Sequence, residues 1–245
     1  MMTLSVRLRA YGFRAAVGCL VEMIIALVGL ALTLPIILLI AIAICLDTPG
    51  PVFYSQMRIG RSGRRFRIYK FRKFGEWAEA STQAVTLKND PRMTRIGRLL
   101  ERSKLDELPQ LWNVLIGDMS FVGPRPETVE FADCFVGPVR NVLDYTPGLF
   151  GPNQVIFRNE ASLYPENQEP HEFYRSVLFP AKARIDLLYF PQRTLLSDIV
   201  WIIRGILGLS PCRAEALKDI PEMEPWLRRQ AGDSQAAAIV LPEQN

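Results

Sequence analysis

Histidine is almost missing from this 245-residue chain: His171 is the only one and sits in a Glu-Pro-rich stretch, so every Ser-His or Cys-His mechanism would have to pass through it. Chemistry of that kind is therefore not expected. Cys19, Cys45, Cys134 and Cys212 show neither CxxC nor metal-site spacing, which removes support for a zinc site or a disulfide framework and leaves reduced, structural cysteines. Internal repeats and long low-complexity stretches are also lacking, and no clear linker divides the soluble part in two. The most informative absence is local: no charged residue occurs between Met23 and Leu46.

That uncharged run, "MIIALVGLALTLPIILLIAIAICL", exceeds the roughly 20 residues a helix needs to cross a bilayer, and no small-residue cleavage site follows it, so it is expected to be retained. Pro35 stands in its middle, where it removes a backbone hydrogen bond and predicts a kink. Arg7, Arg9 and Arg14 precede the run; Arg58, Arg61, Arg64, Arg65, Arg67, Lys70, Arg72 and Lys73 follow it. Basic flanks favour the cytoplasmic side, and a segment with such flanks at both ends is best satisfied by a re-entrant hairpin, with a kinked transmembrane anchor as the alternative. Thr33 offers a hydroxyl to backbone groups freed at the break. Glu22, at the mouth, is read as a solvated interfacial acid or a partner for Arg14.

What remains is basic, with a formal charge of +4. A pI near 9.0 suits anionic partners, whether phosphates, lipid head groups or nucleic acid. "DTPGPVFYSQMRIGRSGRRFRIYKFRKF" predicts strands over Val52 to Met57 and Phe66 to Phe71 around a Gly60 to Gly63 turn. A loop at Asn89-Asp90-Pro91 leads to helices near Thr94 to Arg102 and Glu107 to Ile116, with another after Pro126 and two more near His171 to Phe190 and Leu195 to Leu209. The last has a broad apolar face with Trp201 in it, as an interfacial helix or a core helix requires. The expected class is α+β and helix-dominated: a re-entrant membrane helix broken at Pro35, a small β-hairpin, and interfacial amphipathic helices around a cytoplasmic catalytic core. The expected division is 1–48 for arm and membrane helix, 49–210 for the catalytic domain and 211–245 for a partly disordered tail.

The chemistry concentrates in "LDELPQLWNVLIGDMSFVGPRP". Ser103-x-x-Asp106 fits a capping box, yet capping leaves Glu107 unexplained, because adjacent helical residues point about 100° apart. A carboxylate at a helix start is held ionised and is a competent nucleophile toward phosphorus when partly desolvated. An adjacent acid helps bind a divalent cation, and Mg²⁺ is expected because it takes oxygen ligands and bridges phosphates with one or two carboxylates. Asp106 and Glu107 are thus the candidate catalytic and metal-binding pair. Arg102, Arg125 and the basic hairpin, through Arg58, Lys70 and Arg72, supply cations for a phosphate-bearing substrate. Gly123, Pro124 and Pro126 stiffen the backbone around Arg125; a rigid turn starting the next helix, with Glu127 in its first turn, accounts for the same residues. Asp118 reads as a turn residue or a further acid near the metal. Leu111, Trp112, Val114 and Leu115 read as core or membrane-facing.

"GRLLERSKLDELPQLWNVLIGDMSFVGPRPE", with the hairpin and "NDPRMTRIG" before it, closely resembles the bacterial sugar transferase family, the monotopic polyprenyl-phosphate phosphoglycosyl transferases, from roughly Glu22 to Gly151. The resemblance implies an Mg²⁺-dependent enzyme on the cytoplasmic face of the bacterial inner membrane. Its reaction moves a sugar 1-phosphate from a UDP-sugar to undecaprenyl phosphate, releases UMP and initiates surface glycan assembly. Asp106 would be the nucleophile that forms a covalent phosphosugar intermediate, and Glu107 would assist in metal and substrate binding. Three departures stand out. Leu34 replaces the usual Ser before the helix-breaking proline. Lys73-Phe74 replaces a usual Ser/Thr-Met. Glu101 stands where an arginine is often found, and Lys104 where Ser or Thr is usual, so phosphate contacts are expected to shift to Arg102 and Lys104. After Pro147-Gly148 the chain leaves the commoner pattern, in a region expected to shape sugar selection.

A rival reading is a catalytically inactive, membrane-tethered binding homologue, permitted by Glu101 and Lys104. Nucleic acid is not an expected partner, since the hairpin lacks the aromatic interleaving of such modules. The oligomeric state carries no sequence signal.

Overall fold

A computed structural model describes residues 13–75, 90–165 and 168–209. The arm before Phe13, the Arg14 side chain, Asn89 and the 211–245 tail with Cys212 lie outside the described residues. Helices dominate, with two small sheets.

The apolar run forms helix α1 (Phe13–Asp47), whose stretch Val17–Asp47 is long and apolar enough to cross a membrane. Pro35 lies inside α1, so the break expected there does not interrupt the helical structure. The Thr33 hydroxyl donates to the Gly29 carbonyl at 2.7 Å, the local back-bond open to a helical threonine. Much of the helix surface is exposed, Leu32, Leu39 and Leu46 among the most open. One stripe is not. Ala26 is buried with Phe66, Ile68, Val114, Met119 and Leu149, and Ile44 is buried with Phe71 and Leu100, while Ile37 and Ile40 pack beside that second cluster. Glu22, expected to be solvated or paired with Arg14, instead accepts a hydrogen bond from Ser120 Oγ at 2.6 Å. At the other end Asp47 Oδ2 accepts from the Ile96 amide at 3.0 Å. α1 is therefore fastened to the same body at its last residue and at Glu22, nine residues after its first.

The hairpin runs β1 (Phe53–Ile59) to β2 (Arg65–Phe71), antiparallel, with Phe53 opposite Phe71 and Ile59 opposite Arg65. Its turn, Arg61–Gly63, needs positive φ at Ser62 and Gly63, which explains a Gly at the tip. Helix α2 (Arg95–Ser103) starts at Thr94, whose side chain accepts from the Gly97 amide. Helix α3 (Gln110–Leu115) is clamped to β2 by the fully buried Asn113, which donates to the Arg67 carbonyl at 2.7 Å and accepts from the Tyr69 amide at 3.2 Å. Val114 is core, whereas Trp112 is half exposed.

Strands β3 (Ser120–Val122) and β4 (Gly148–Phe150) pair in parallel. Here glycine is compulsory: a Cβ on Gly148 would lie 2.0 Å from the Gly123 amide nitrogen, and one on Gly123 would lie 2.1 Å from the Thr146 carbonyl oxygen. The helix expected after Pro126 is a 3₁₀ segment, Val129–Cys134, with Thr128 rather than Pro126 at its start. After α4 (Pro152–Ile156), α5 (Pro170–Phe173) and α6 (Phe179–Tyr189) are joined by a π-helical turn, Tyr174–Leu178, just ahead of Pro180, which has no amide to continue an α-helical ladder. Phe131, Phe157, Phe173, Leu178 and Phe179 form the core beneath them. Helix α7 (Leu195–Leu207) carries a Thr194/Ser197 capping box and no fully buried residue; Leu195, Leu196, Ile199, Val200, Ile203, Ile206 and Leu207 are exposed on it, while Trp201 meets Tyr189 edge-on at 6.0 Å.

Candidate active site

The site begins at a joint between helices. Lys104 adopts a left-handed conformation, φ 62°, and turns the chain out of α2 into a 3₁₀ turn, Leu105–Glu107, that displays the acid pair ahead of Pro109. The expected capping box at Ser103 is not formed: Ser103 ends α2, and its hydroxyl donates to the carbonyls of Leu99 and Leu100. The two acids face different surroundings, as the 3₁₀ turn requires.

Glu107 lines a cleft of about 760 Å³ in which basic side chains outnumber acidic ones. Lys70 Nζ donates to Glu107 Oε1 at 2.7 Å and Arg125 lies 3.5 Å from the same oxygen. Burial works to raise the Glu107 carboxyl, but Lys70, Arg125 and Lys104 outweigh it and hold the group well below the ordinary carboxylate range. Burial pushes the Lys70 ammonium down to about 8 despite Glu107. It pushes Lys104 down as well. For Arg125, burial is overcome by Glu107, Glu160 and Glu127, and its guanidinium stays charged.

Asp106 is buried, only 1 % exposed, just behind the cleft wall that Lys73, Glu107 and Leu108 form. Its Oδ2 lies 3.4 Å from Lys73 Nζ, and its buried Oδ1 has no hydrogen-bond partner. Lys73 Nζ is also 3.6 Å from Glu101 Oε1. Among the described residues no three His, Cys, Asp or Glu side chains form a metal cage. Mg²⁺ does not require one, since it can draw most of its ligands from phosphate and water: Glu107 lines the cleft where such a cation would sit, and the unused Asp106 oxygen lies buried just behind it.

Of the other expected contacts, Arg58, Lys70, Arg102, Lys104 and Arg125 line the cleft. Gly123 and Pro124 serve the β3/β4 crossing, where the Gly148 amide donates to the Pro124 carbonyl at 2.9 Å, and the Pro126 carbonyl accepts from Arg58. Arg72 departs from expectation. Its guanidinium donates to the carbonyls of Pro49 and Thr48 at 2.6 and 2.8 Å, closing the chain after α1, and it is absent from the cleft lining. Asp118 sits in the turn after α3, its amide on the Asn113 carbonyl and its side chain outside that lining.

Sequence reading missed the far end of the cleft. Tyr174 donates to Glu127 at 2.5 Å; Lys182 donates to Glu160 at 2.6 Å and to the Tyr174 oxygen at 3.1 Å; Tyr164 donates to Glu160 at 3.0 Å. Glu127, read as a first-turn helix residue, is instead buried in this circuit. No local signal marked it, because Tyr174 and Lys182 stand among other polar and charged residues such as Glu172, Arg175, Arg184 and Asp186.

The family model for bacterial sugar transferases matches residues 13–210. An Aeromonas hydrophila UDP-N-acetylgalactosamine-undecaprenyl-phosphate N-acetylgalactosaminephosphotransferase is 34% identical over 182 residues, covering 72% of this chain and 43% of that protein. The exopolysaccharide production protein PSS of Rhizobium leguminosarum is 48% identical over 101 residues, 41% of this chain and 50% of that protein. A UDP-glucose:undecaprenyl-phosphate glucose-1-phosphate transferase of Xanthomonas campestris is 43% identical over 143 residues, 56% and 29% of the two. The chain spans about half the length of the curated relatives it matches first. An acid pair at a cation-lined cleft beside an apolar helix, and a family match across most of its length, lead to one conclusion: the chain belongs to the bacterial sugar transferase family.

Proposed function

We propose that this chain transfers a sugar 1-phosphate from a UDP-sugar to undecaprenyl phosphate and so initiates assembly of a surface glycan. The observation that carries the reading is Asp106, a carboxylate with an unpartnered, desolvated oxygen just behind the wall of a cleft rich in fixed cations. An Asp106 oxygen attacks the phosphorus that bears the sugar; the bond to the bridging oxygen breaks and UMP leaves with that oxygen. An oxygen of undecaprenyl phosphate then attacks the same phosphorus and displaces the Asp106 carboxylate, giving the diphosphate-linked sugar lipid. Lys70, Arg125 and Lys104 hold the donor's phosphates and offset the charge that develops on the leaving group. Asp106 and Glu107 would hold Mg²⁺, which when bound adds further neutralisation of the phosphate oxygens.

We propose a membrane geometry for α1 as well. Re-entry through the cytoplasmic face of the inner membrane is our reading from the basic flanks; the bonds Glu22–Ser120 and Asp47–Ile96, which tie α1 to the rest of the chain at two points, support it, while the unbroken helix through Pro35 would equally suit a span. The exposed apolar face of α7 suits an interfacial helix at the same plane. Cysteines introduced at Val17 and Leu46 should react with an impermeant reagent from one side only; reaction from opposite sides refutes re-entry.

The test of function is UMP release from a panel of UDP-sugars by detergent-purified protein with undecaprenyl phosphate and Mg²⁺, beside Asp106→Asn. Lipid-dependent release that vanishes in the variant is expected. A catalytically inactive binding homologue is favoured by one observation, the burial of Asp106 behind the cleft wall. Folded protein that binds donors and releases nothing supports that reading instead.

A further inference from the structure

The two acids do not share their cations. Glu107 engages Lys70 and Arg125, whereas the charged group in contact with Asp106 among the described residues is Lys73. A buried carboxylate stays ionised only with a compensating charge close by. The backbone that delivers this charge is pinned: the Thr94 amide donates to the Lys73 carbonyl at 2.9 Å, and a Cβ on Gly97 would lie 2.0 Å from that carbonyl oxygen. Helix α2 thus rests its first turn on Lys73 and reaches back along its length with Glu101, whose carboxylate touches the same ammonium.

We infer that Lys73 is the positioning residue for Asp106 and that Glu101 is its alternate seat, a reading that rests on Asp106 as nucleophile. Before reaction Lys73 balances the buried Asp106 charge and fixes the direction of the carboxylate. When Asp106 bonds to phosphorus, its carboxylate charge is lost to the new ester linkage, and Lys73 passes to Glu101 with no proton transferred. Glu101 also limits how tightly Lys73 grips Asp106, so the carboxylate can leave its partner for the phosphorus. Because Glu101 and Asp106 meet the same ammonium, an arginine at 101 is placed to take over the cation's role when residue 73 lacks one.

Two experiments test this. In the UMP-release assay, Lys73→Met should lower kcat about a hundredfold with KM for the donor nearly unchanged, Lys73→Arg should keep most activity, and the double variant Lys73→Ser with Glu101→Arg should recover about tenfold or more over Lys73→Ser alone. Lys73→Met with wild-type kcat, or a folded double variant no faster than the single, overturns the inference. Thermal unfolding probes the pair without turnover: Lys73→Met should lower Tm in the parent, but not against an Asp106→Asn background. An equal loss in both backgrounds shows that Lys73 acts elsewhere and refutes the pairing. If the parent releases no UMP while the unfolding cycle shows coupling, the functional reading fails and the pairing of Lys73 with Asp106 stands.

Discussion

The two ends of the cleft use the same kinds of side chain to opposite purposes. At the far end both acids that line the cleft are answered, Glu127 by Tyr174 and Glu160 by Lys182 and Tyr164, in a circuit whose middle is the Tyr174 oxygen, and the open oxygen nearby belongs to Asp186, outside the cleft lining. At the near end one acid, Glu107, is doubly held while its neighbour keeps an unused buried oxygen. A closed circuit in a low-dielectric setting resists rearrangement, and an open acceptor there is stored reactivity. The contrast teaches which end is built to change during turnover and which to stay still.

Four substitutions or conditions sharpen or break the contrast. The largest effect belongs to Asp106→Asn, which should reduce UMP release by at least about 10⁴-fold while leaving the circular dichroism of the fold intact. Lys182→Met should do the reverse, costing about 3–5 kcal/mol in denaturant unfolding because Glu160 loses its buried partner. If instead it mainly lowers kcat at unchanged stability, the far end takes part in chemistry and the contrast falls. Tyr174→Phe, which removes one donor from Glu127 and one acceptor from Lys182, should cost about 1–3 kcal/mol by the same measurement.

The smallest effect is a pH effect. Lys70 titrates near 8, below the ordinary lysine range because it is buried, so its charge is present below that pH and lost above it. Donor KM should therefore rise as pH passes through about 8. Stability moves the other way: between 8 and the ordinary lysine value the unfolded chain holds a proton the folded chain has released, so unfolding free energy rises with pH. A donor KM that stays flat through pH 8, or an unfolding free energy that falls between 8 and the ordinary lysine value, would place the titration on another group.

Local signals were legible from the sequence, and long-range ones were not. The hairpin registers through alternation and its Gly60 to Gly63 turn, and α2 through its Thr94 cap, because each is written in adjacent residues. The acid pair and Gly-Pro-Arg-Pro were visible for the same reason. The parallel β3/β4 pair was not: three-residue strands have no periodicity to read, and only the mutual approach of Gly123 and Gly148 reveals them. Arg72 looked like one more phosphate cation in a basic hairpin, since sequence gives no sign that the Thr48 and Pro49 carbonyls lie in its reach. Asp106 was placed at a helix start by its spacing from Ser103, whereas the left-handed Lys104 ends one helix and begins a separate turn.

The bond between Asp47 and the Ile96 amide joins the last residue of the apolar helix to the first turn of the helix that rests on Lys73. Mechanically these are one lever, with its long arm the apolar helix and its short arm two turns from the acid pair. With α1 inserted as proposed, strain on its apolar length would reach the seat of the reacting carboxylate through that joint. Turnover measured across vesicles of different acyl-chain length should show this dependence, and Asp47→Ala should blunt it.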